Sequence, residues 1–407
     1  MDRDGALWHA RRIELDLVVI GGAGHVGLPL SLAFASTGLH VGVYDIDASA
    51  LAGIRGGKIP FQERGANELL AAMLRERRLE LSDDPRMLAS TNTVVFVIGT
   101  PIDEFLNPKL TVFREAVDLL APHIRKGALV VLRSTVFPGT TEVVADLLRD
   151  HRKEVDIAFC PERIVEGQAL EELRSLPEII GADTASAGDR AEALFRRLAP
   201  STVRVSIREA EVAKLLTNTW RYMKFAVANQ FFMLAHSAGV DYTNVLRAIR
   251  QDYPRAMDLP GPGFAAGPCL LKDTMQLAAF SADRFPLGHS AMQINEGLPS
   301  YVVAAMERRF GSLRDRAVGI LGMAFKAESD DPRASLSFKL RRLLLWEGAR
   351  VLCTDPYVQD DRLVPLQRVL AESEILVIGV PHRAYRDVPM VPECLVDIWG
   401  SAGRINL

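Results

Sequence analysis

The chain has 407 residues, of which 48% are hydrophobic, 24% charged and 7% aromatic. This composition is typical of a globular protein with two or three domains, and it argues against wholesale disorder, collagen-like repeats and coiled-coil bias. With 48 Lys and Arg against 51 Asp and Glu, the formal net charge is −3. We therefore expect no nucleic-acid partner and no membrane surface as partner.

The four cysteines have neither CxxC spacing nor a neighbouring histidine cluster, so we expect no metal site and no disulfide framework. The N-terminal segment is charged throughout, and every later apolar run stops well short of the roughly 20 residues that span a bilayer. The expected location is the cytoplasm. The four cysteines mentioned above are Cys160, Cys269, Cys353 and Cys394.

From residue 16 onward, short β-rich runs alternate with helical stretches, which is typical of a parallel sheet with crossover helices. A long run without Pro or Gly, residues 209–239, then predicts a helix that ends near Gly239. A second, smaller alternation opens near Arg316. The fold class predicted is α/β, with an N-terminal Rossmann domain (1–208), a central long-helix region (209–310) and a smaller C-terminal Rossmann-like α/β domain (311–407).

The first predicted strand runs directly into a glycine-rich turn that opens a helix, and Asp45 ends the next strand. Residues without Cβ allow the tight turn, the approach of a pyrophosphate and close helix–strand packing. An acid at the second strand's end would bind ribose hydroxyls and repel a 2′-phosphate, which favours NAD over NADP. The alternative is a turn that binds nothing. The candidate cofactor residues here are Gly22, Gly24, His25, Val26, Gly27 and Asp45.

Polar residues follow three later strands of the first alternation. Because ligands of an open parallel sheet lie beyond the carboxyl ends of its strands, we expect these residues near the cofactor. Each also has a simpler interpretation as turn chemistry. The candidates are Thr100, Pro101, Thr135 and Glu162.

Two pairs of residues in the central region could carry chemistry. Lys214 and Asn218 are four residues apart and share one helix face, although helical lysines are usually solvated. Cys269 lies in a Gly/Pro-rich loop that enters a helix, a setting that can expose and activate a thiol. Asp273, four residues later, could act as a base or orient the thiol. The alternative for Cys269 is a small buried hydrophobic residue.

Eight motifs in order resemble the UDP-glucose/GDP-mannose dehydrogenase family of nucleotide-sugar 6-dehydrogenases over nearly the whole chain. The resemblance implies a Rossmann NAD domain, a central helical dimerisation region, a C-terminal nucleotide domain, NAD as cofactor, a UDP-sugar as substrate and a homodimer. The motifs are IGGAGHVGLP, GTPIDEFLNP, STVFPGTTE, CPERIVEG, EAEVAKLLTNT, PGFAAGPCLLKD, LGMAFKAESDDPRAS and TDPY.

The resemblance also implies roles for individual residues. Cys269 matches the nucleophile that forms a thiohemiacetal and then a thioester, with Asp273 as the carboxylate beside it. Lys214 and Asn218 match the groups that stabilise charge on the C6 oxygen. Glu162 and Thr135 match residues that assist thioester hydrolysis and place the water. Gly263, Lys326 and Arg255 match residues that bind the nucleotide sugar, and Arg255 resembles an arginine that reaches the substrate of the partner subunit.

The chain departs from the family in one loop, because GFAAGPC is one residue longer than GFGGSC or GVGGHC and has alanines in place of two glycines. The CPER motif favours the branch that oxidises UDP-N-acetylhexosamines over UDP-glucose. Two alternatives stay open: a single-step NAD-dependent hydroxy acid dehydrogenase and a non-catalytic nucleotide-sugar binding protein.

Overall fold

The computed structural model describes residues 14–100, 103, 109–282 and 284–407. It divides into two compact units within its longest helix, between Leu215 and Leu216. Within the part of the chain described, none of the helices combines the length and the apolar character needed to span a bilayer.

The first unit contains an eight-stranded sheet in the order β3-β2-β1-β4-β5-β6-β7-β8, parallel throughout except between β6 and β7. The strands are β1 (Leu17–Ile20), β2 (Val41–Tyr44), β3 (Leu79–Ser82), β4 (Thr93–Phe96), β5 (Leu129–Leu132), β6 (Asp156–Phe159), β7 (Glu178–Gly181) and β8 (Thr202–Val205). The helices are α1 (Gly27–Ala35), α2 (Ala48–Arg55), α3 (Ala66–Arg75), α4 (Leu110–Leu120), α5 (Thr140–Asp150), α6 (Ala169–Ser175), α7 (Ala185–Phe195) and α8 (Ile207–Ser237), the last running on into the second unit.

The middle strands of this sheet are buried on both faces, as expected for a parallel sheet covered by helices. All four residues of β1, β2 and β5 are buried. Each fully buried Val, Leu or Ile contributes about 1.5–3 kcal/mol relative to an exposed one. Burial on both faces explains why these strands are continuous apolar runs in the sequence.

The second unit contains a four-stranded parallel sheet in the order β10-β9-β11-β12. Its strands are β9 (Ala317–Leu321), β10 (Arg350–Thr354), β11 (Ile375–Ile378) and β12 (Leu395–Val396). Its helices, besides the rest of α8, are α9 (Tyr242–Arg250), α10 (Leu270–Phe280), α11 (Pro286–Phe310), α12 (Leu336–Trp346) and α13 (Leu366–Glu372).

The predicted fold class is confirmed, with a large mainly parallel sheet, a helical region and a smaller parallel sheet in that order. The long helix predicted for 209–239 is α8, and Gly239 just beyond it has φ +70°, the left-handed conformation of a helix stop. The three-domain boundaries stay a proposal.

Candidate functional site

The first glycine turn, residues 21–27, connects β1 to α1. Gly21 has φ +75°, and a Cβ there would lie 2.4 Å from the Val97 carbonyl oxygen, so a side chain is excluded by both conformation and space. A Cβ on Gly27 would lie 2.2 Å from the Gly21 carbonyl oxygen. Gly27 therefore lets the first turn of α1 pack directly on the strand end.

Gly24 differs from these glycines, because its added Cβ would meet no protein atom nearer than the Gly21 carbonyl oxygen at 3.6 Å. Folding therefore does not require glycine at this position. A glycine with open space above it, next to the start of a helix, fits the close approach of a pyrophosphate.

Asp45 directly follows β2 and is partly exposed. Its Oδ2 accepts a hydrogen bond from the Ala23 amide at 2.9 Å, and its Oδ1 accepts one from the Asp47 amide at 3.1 Å. The carboxylate is thus fixed at the rim of the glycine turn while still reachable. His25 stacks on Phe61 with ring centroids 4.2 Å apart, and Val26 is the residue before α1.

Three adjacent parallel strands, β4, β5 and β6, bring their carboxyl ends to one edge of the sheet. Thr100, Thr135 and Glu162 come after these strands, as the sequence predicted. Thr135 is partly exposed, and Glu162 is 9% exposed. Pro101 lies outside the described residues.

Glu162 belongs to a buried charged triad with Arg133 and Glu178. The Arg133 Nε donates to Glu162 Oε2 at 2.7 Å, and its Nη1 donates to Glu178 Oε1 at 3.0 Å. Glu162 Oε1 accepts from the amides of Arg163 and Ile164, at 2.8 and 3.0 Å. Both oxygens of Glu162 are therefore held by donors.

Arg133 is only 1% exposed, and its guanidinium lies 4.8 Å from the centre of the Phe195 ring. Burial opposes its charge, yet the two carboxylates outweigh burial and raise the pKa of Arg133. Burial also raises the pKa of Glu178, although Arg133 opposes that shift. Breaking such a buried pair by removing one partner typically costs about 3–5 kcal/mol.

Lys214 and Asn218 lie one turn apart on α8 and are 6% and 5% exposed, so the interpretation of Lys214 as a solvated surface residue is wrong. One turn earlier, the fully buried Glu211 accepts hydrogen bonds from the amides of Gly139 at 2.6 Å and Thr141 at 2.9 Å. Glu211 thus caps α5 and fixes the start of α8. Leu216, by contrast, is 51% exposed.

Cys269 is exposed and directly precedes α10. The alternative interpretation of Cys269 as a buried hydrophobic residue is therefore wrong. Asp273, one turn into α10, is fully buried and accepts a hydrogen bond from Asn218 Nδ2 at 2.5 Å. Its Oδ1 lies 3.6 Å from Lys272 Nζ. Asn218 of α8 is thus in direct contact with the helix that begins after Cys269.

The loop before Cys269 is anchored at Gly263 by the fully buried Asn229 of α8. Asn229 Nδ2 donates to the Gly263 carbonyl at 3.0 Å, and Asn229 Oδ1 accepts from the Gly263 amide at 2.9 Å. Asn295 of α11 also accepts from Asn229 Nδ2, at 2.9 Å. The Trp399 indole covers this point, since a Cβ on Gly263 would lie 2.2 Å from its ring.

The unusual GFAAGPC segment has a second anchor at Gly267. Its φ is +108°, and an added Cβ would lie 2.6 Å from the Phe325 ring. Phe264 and Ala265 are buried, at 5% exposure each. The longer loop is therefore packed between two glycines that tolerate no side chain, and its alanine at 265 contributes to the core.

The two remaining substrate candidates are placed differently. Lys326 is partly exposed, with its ammonium 5.8 Å from the centre of the Phe325 ring. Arg255 is exposed and lies over the Tyr253 ring at 5.1 Å.

Three family models together cover most of the chain. They are described as the NAD binding domain of the UDP-glucose/GDP-mannose dehydrogenase family over residues 16–199, its central domain over 208–297 and its UDP binding domain over 319–402. The chain belongs to the UDP-glucose/GDP-mannose dehydrogenase family. It is accordingly an NAD-dependent oxidoreductase, and the glycine turn with Asp45 fits NAD.

Individual members of the family resemble the chain over almost its full length. A UDP-N-acetyl-D-mannosamine dehydrogenase of Pyrococcus horikoshii is 31% identical, covering 91% of this chain and 90% of the relative. A solved UDP-glucose dehydrogenase of Pyrobaculum islandicum superposes with a TM-score of 0.90, 29% identity and 98% coverage of both chains. A solved UDP-D-ManNAc dehydrogenase of Pyrococcus horikoshii gives 0.86, 29% identity, and coverage of 92% and 91%.

The sequence did not predict several residues that hold the candidate site residues in place. Arg133 carried a visible signal, since it is a charged residue directly after the apolar run LVVL. Asn229 carried a weaker one, as an amide inside the apolar part of α8. Glu178 and Asn295 gave no signal, because their partners are 45 and 66 residues away in the chain.

Proposed function

We propose that this dehydrogenase oxidises the C6 hydroxyl of a UDP-sugar to a carboxylate in two NAD-dependent steps. The observation that supports it most is the exposed Cys269 before α10, with the buried Asp273 one turn away and bonded to Asn218. A single alcohol oxidation needs no thiol, whereas oxidation beyond the aldehyde benefits from covalent capture.

The proposed reaction balances through the chain's own groups. NAD, when bound, supplies the hydride acceptor for both oxidations. Lys214 and Asn218 bind the C6 oxygen, and the alcohol proton leaves to solvent. The Cys269 sulfur then bonds to C6 of the aldehyde, giving a thiohemiacetal. Its oxidation gives a thioester, and water releases the acid and regenerates the thiol.

Glu162 and Thr135 are proposed to place the water that attacks the thioester. Each oxygen of Glu162 already accepts hydrogen bonds, from Arg133 on one side and from two amides on the other. A carboxylate held in this way is pre-organised, so it can orient water without losing rotamer freedom. Gly263, Lys326 and Arg255 are proposed to bind the nucleotide sugar.

A UDP-N-acetylhexosamine is the proposed sugar, on the basis of the CPER motif and of the Pyrococcus horikoshii relative named for UDP-N-acetyl-D-mannosamine. A panel of UDP-N-acetylmannosamine, UDP-N-acetylglucosamine, UDP-glucose and UDP-galactose tests this. We expect the highest kcat/KM with an N-acetylated sugar. Preference for UDP-glucose would contradict the branch assignment while leaving the reaction type intact.

The reaction type is tested by counting the NADH formed per UDP-sugar consumed. We expect two NADH and a uronate. One NADH would indicate a single-step dehydrogenase, and none would indicate a binding protein. Replacing Cys269 with Ala should abolish uronate formation, while Cys394→Ala, at a partly buried cysteine, serves as the matched control and should keep it.

We also propose a homodimer that uses an apolar stripe on α8. Five large apolar side chains recur along this helix at spacings of four, seven, four and three residues, and each is more than 40% exposed. Exposed apolar stripes of this kind mark interaction surfaces. Analytical ultracentrifugation should show a dimer at nanomolar concentration that Phe231→Glu dissociates; an active wild-type monomer would refute it. The stripe is Leu216, Trp220, Val227, Phe231 and Leu234.

A further inference from the structure

A cavity of about 410 Å³ opens along α12 in the second unit. Among the described residues that line it, four are arginines and none is acidic. The cavity begins at the residues just before α12, so the N-terminal end of that helix adds the positive end of its dipole to the surface. Its main lining residues are Arg333, Ser335, Phe338, Arg341, Arg342 and Arg362.

Two of these arginines are neutralised by carboxylates. Arg333 Nε lies 2.9 Å from each oxygen of Asp331, and Arg362 Nε lies 2.8 Å from Asp360 Oδ1. Arg341 is not part of any ion pair among the described residues, and the same holds for Arg342. The cavity therefore carries a surplus of two positive charges.

Arg341 is the least solvated of the four groups. Its Nε is buried and has no hydrogen-bond partner in the described part of the chain, while the guanidinium lies beside the Cys353 thiol of β10. An unpaired buried donor on a charged group is unfavourable and is relieved by an anionic acceptor. Guanidinium groups bind phosphate oxygens especially well, because their donors form a planar fork.

The cavity also has an aromatic wall. Arg362 stacks on the Phe338 ring with its guanidinium carbon 4.7 Å from the ring centre. This contact orders Arg362 and leaves an aromatic group beside the positive charges. A planar nucleobase attached to a phosphate could pack there, since bases stack readily on aromatic side chains.

One end of the cavity adjoins the loop that carries Cys269. The Ala334 carbonyl, which belongs to the cavity lining, accepts a hydrogen bond from the Gly267 amide at 3.4 Å. Arg341 and Arg342 lie in the second turn of α12. Arg362 follows β10, an edge strand of the four-stranded sheet.

We propose that this cavity is a second anion site, which binds a phosphate-bearing ligand through Arg341 and Arg342, with Arg333 and Arg362 at its rim. The phosphate could belong to free phosphate or pyrophosphate, or to a nucleotide whose base packs on Phe338. None of the described residues that line the cavity has a role in the proposed reaction, so its ligand would act on the enzyme without being consumed.

Calorimetric titration of the full chain with inorganic pyrophosphate, in saturating NAD and UDP, tests the site. We expect one additional pyrophosphate per chain, bound at least tenfold more weakly by Arg341→Gln/Arg342→Gln. The matched control is Arg314→Gln/Arg386→Gln, which removes two exposed arginines of the same unit outside the cavity and should bind within twofold of wild type. Equal binding by the two double variants, or no additional pyrophosphate, would overturn the proposal.

Because Arg341 packs beside Cys353, its replacement could disturb folding, so Arg342→Gln alone provides a second test. Arg342 is exposed, and its loss should weaken binding at least threefold without changing the melting temperature.

Comparing the affinities of AMP and inorganic phosphate for the cavity distinguishes the two sources of the phosphate. If the ligand is a nucleotide, AMP should bind more tightly than phosphate, and Phe338→Leu should remove that advantage. Equal affinities of AMP and phosphate indicate free phosphate. Neither readout depends on dehydrogenase turnover, so failure here leaves the proposed function untouched.

Discussion

The two sheets of this enzyme share one local arrangement, a glycine after one strand and an aspartate after the neighbouring strand, and it serves a different purpose in each. In the first unit, Gly21 directly follows β1 and has φ +75°; in the second unit, Gly322 directly follows β9 and has φ +97°. In each case an aspartate directly follows the neighbouring strand, Asp45 after β2 and Asp355 after β10. Each aspartate accepts hydrogen bonds from the amides of its glycine turn.

The two carboxylates differ in how many hydrogen bonds they accept. Asp45 is partly exposed, and each of its oxygens accepts one amide hydrogen bond. Asp355 is also partly exposed as a residue, but its side chain is fully buried and accepts from four backbone amides and from His382 Nε2 at 3.1 Å. His382 Nδ1 accepts from the Glu328 amide, which leaves the hydrogen on Nε2.

The segments after the two turns differ as well. In the first unit, α1 begins six residues after Gly21, with Gly24 leaving open space above the helix start. In the second unit, the buried Met323 and Ala324 follow Gly322, and α12 begins only at Leu336. A strand followed by a left-handed glycine, with an acid after the neighbouring strand, is therefore an arrangement that serves folding. It can also bind a cofactor when the cofactor can reach the acid and a helix begins shortly after the glycine.

The largest effect expected from this comparison is on folding. Asp355→Ala would leave four buried amides and His382 without their acceptor, so we expect the second unit to lose about 3–5 kcal/mol of unfolding free energy. Urea denaturation followed by tryptophan fluorescence measures this. The control Asp387→Ala, at an exposed aspartate, should stay within about 0.5 kcal/mol of wild type. Equal stability of the two variants would show that Asp355 is dispensable.

A second prediction concerns acid. Burial alone would raise the pKa of Asp355, but hydrogen bonds from His382 and the backbone outweigh it and lower the pKa to about 2. Because the folded value lies below the ordinary value of about 3.9, this stabilisation is complete above pH 4 and is lost as pH falls through 2. The stability gap between wild type and Asp355→Asn should narrow by about 2 kcal/mol over that range. A gap independent of pH would contradict this prediction.

The contrast between the two units also shows what the sequence could reveal. Asp45 and the central strands were predictable, because a buried parallel strand is a continuous apolar run and the acid follows it directly. Strands β3, β7 and β8 were missed, since LELS, EIIG and TVRV are short and contain charged residues. Gly21 was missed because the G-x-G-x-x-G pattern begins one residue later.

The candidate site was predictable where chemistry is local and not where it depends on distant contacts. Cys269 and Asp273 share one helix start, so their spacing was informative. The donors on Glu162 come from Arg133, 29 residues earlier in the chain, and the clamp on Gly263 comes from Asn229, 34 residues earlier. Such pairings depend on the assembled sheet and helices and leave no periodic signal in the sequence.

A third prediction separates the glycines that fold the first turn from the one that serves the cofactor. Gly24→Ala should fold normally, because the nearest atom to its Cβ is 3.6 Å away, yet NAD affinity should fall at least tenfold, about 1.4 kcal/mol. Gly53→Ala on α2, also without a close neighbour, is the control and should bind NAD like wild type. Titration of NADH fluorescence measures both. Unchanged affinity in Gly24→Ala would place the pyrophosphate elsewhere.

The smallest expected effect is on cofactor choice, and it tests whether the exposure of Asp45 has a function. Wild-type enzyme should prefer NAD, since the Asp45 carboxylate accepts from ribose hydroxyls and repels a 2′-phosphate. Asp45→Ala should lower kcat/KM for NAD about fivefold, or about 1 kcal/mol, and narrow the ratio of NAD to NADP use. Asp45→Asn keeps a hydrogen-bond acceptor and removes the charge. Its ratio of NAD to NADP use should therefore also narrow, with a smaller loss of kcat/KM for NAD than in Asp45→Ala. Asp47→Ala is the matched control, because the exposed Asp47 carboxylate caps α2 two residues away and should leave the ratio unchanged. Equal use of both cofactors by the wild type would mean that Asp45, like Asp355, serves only to hold its turn.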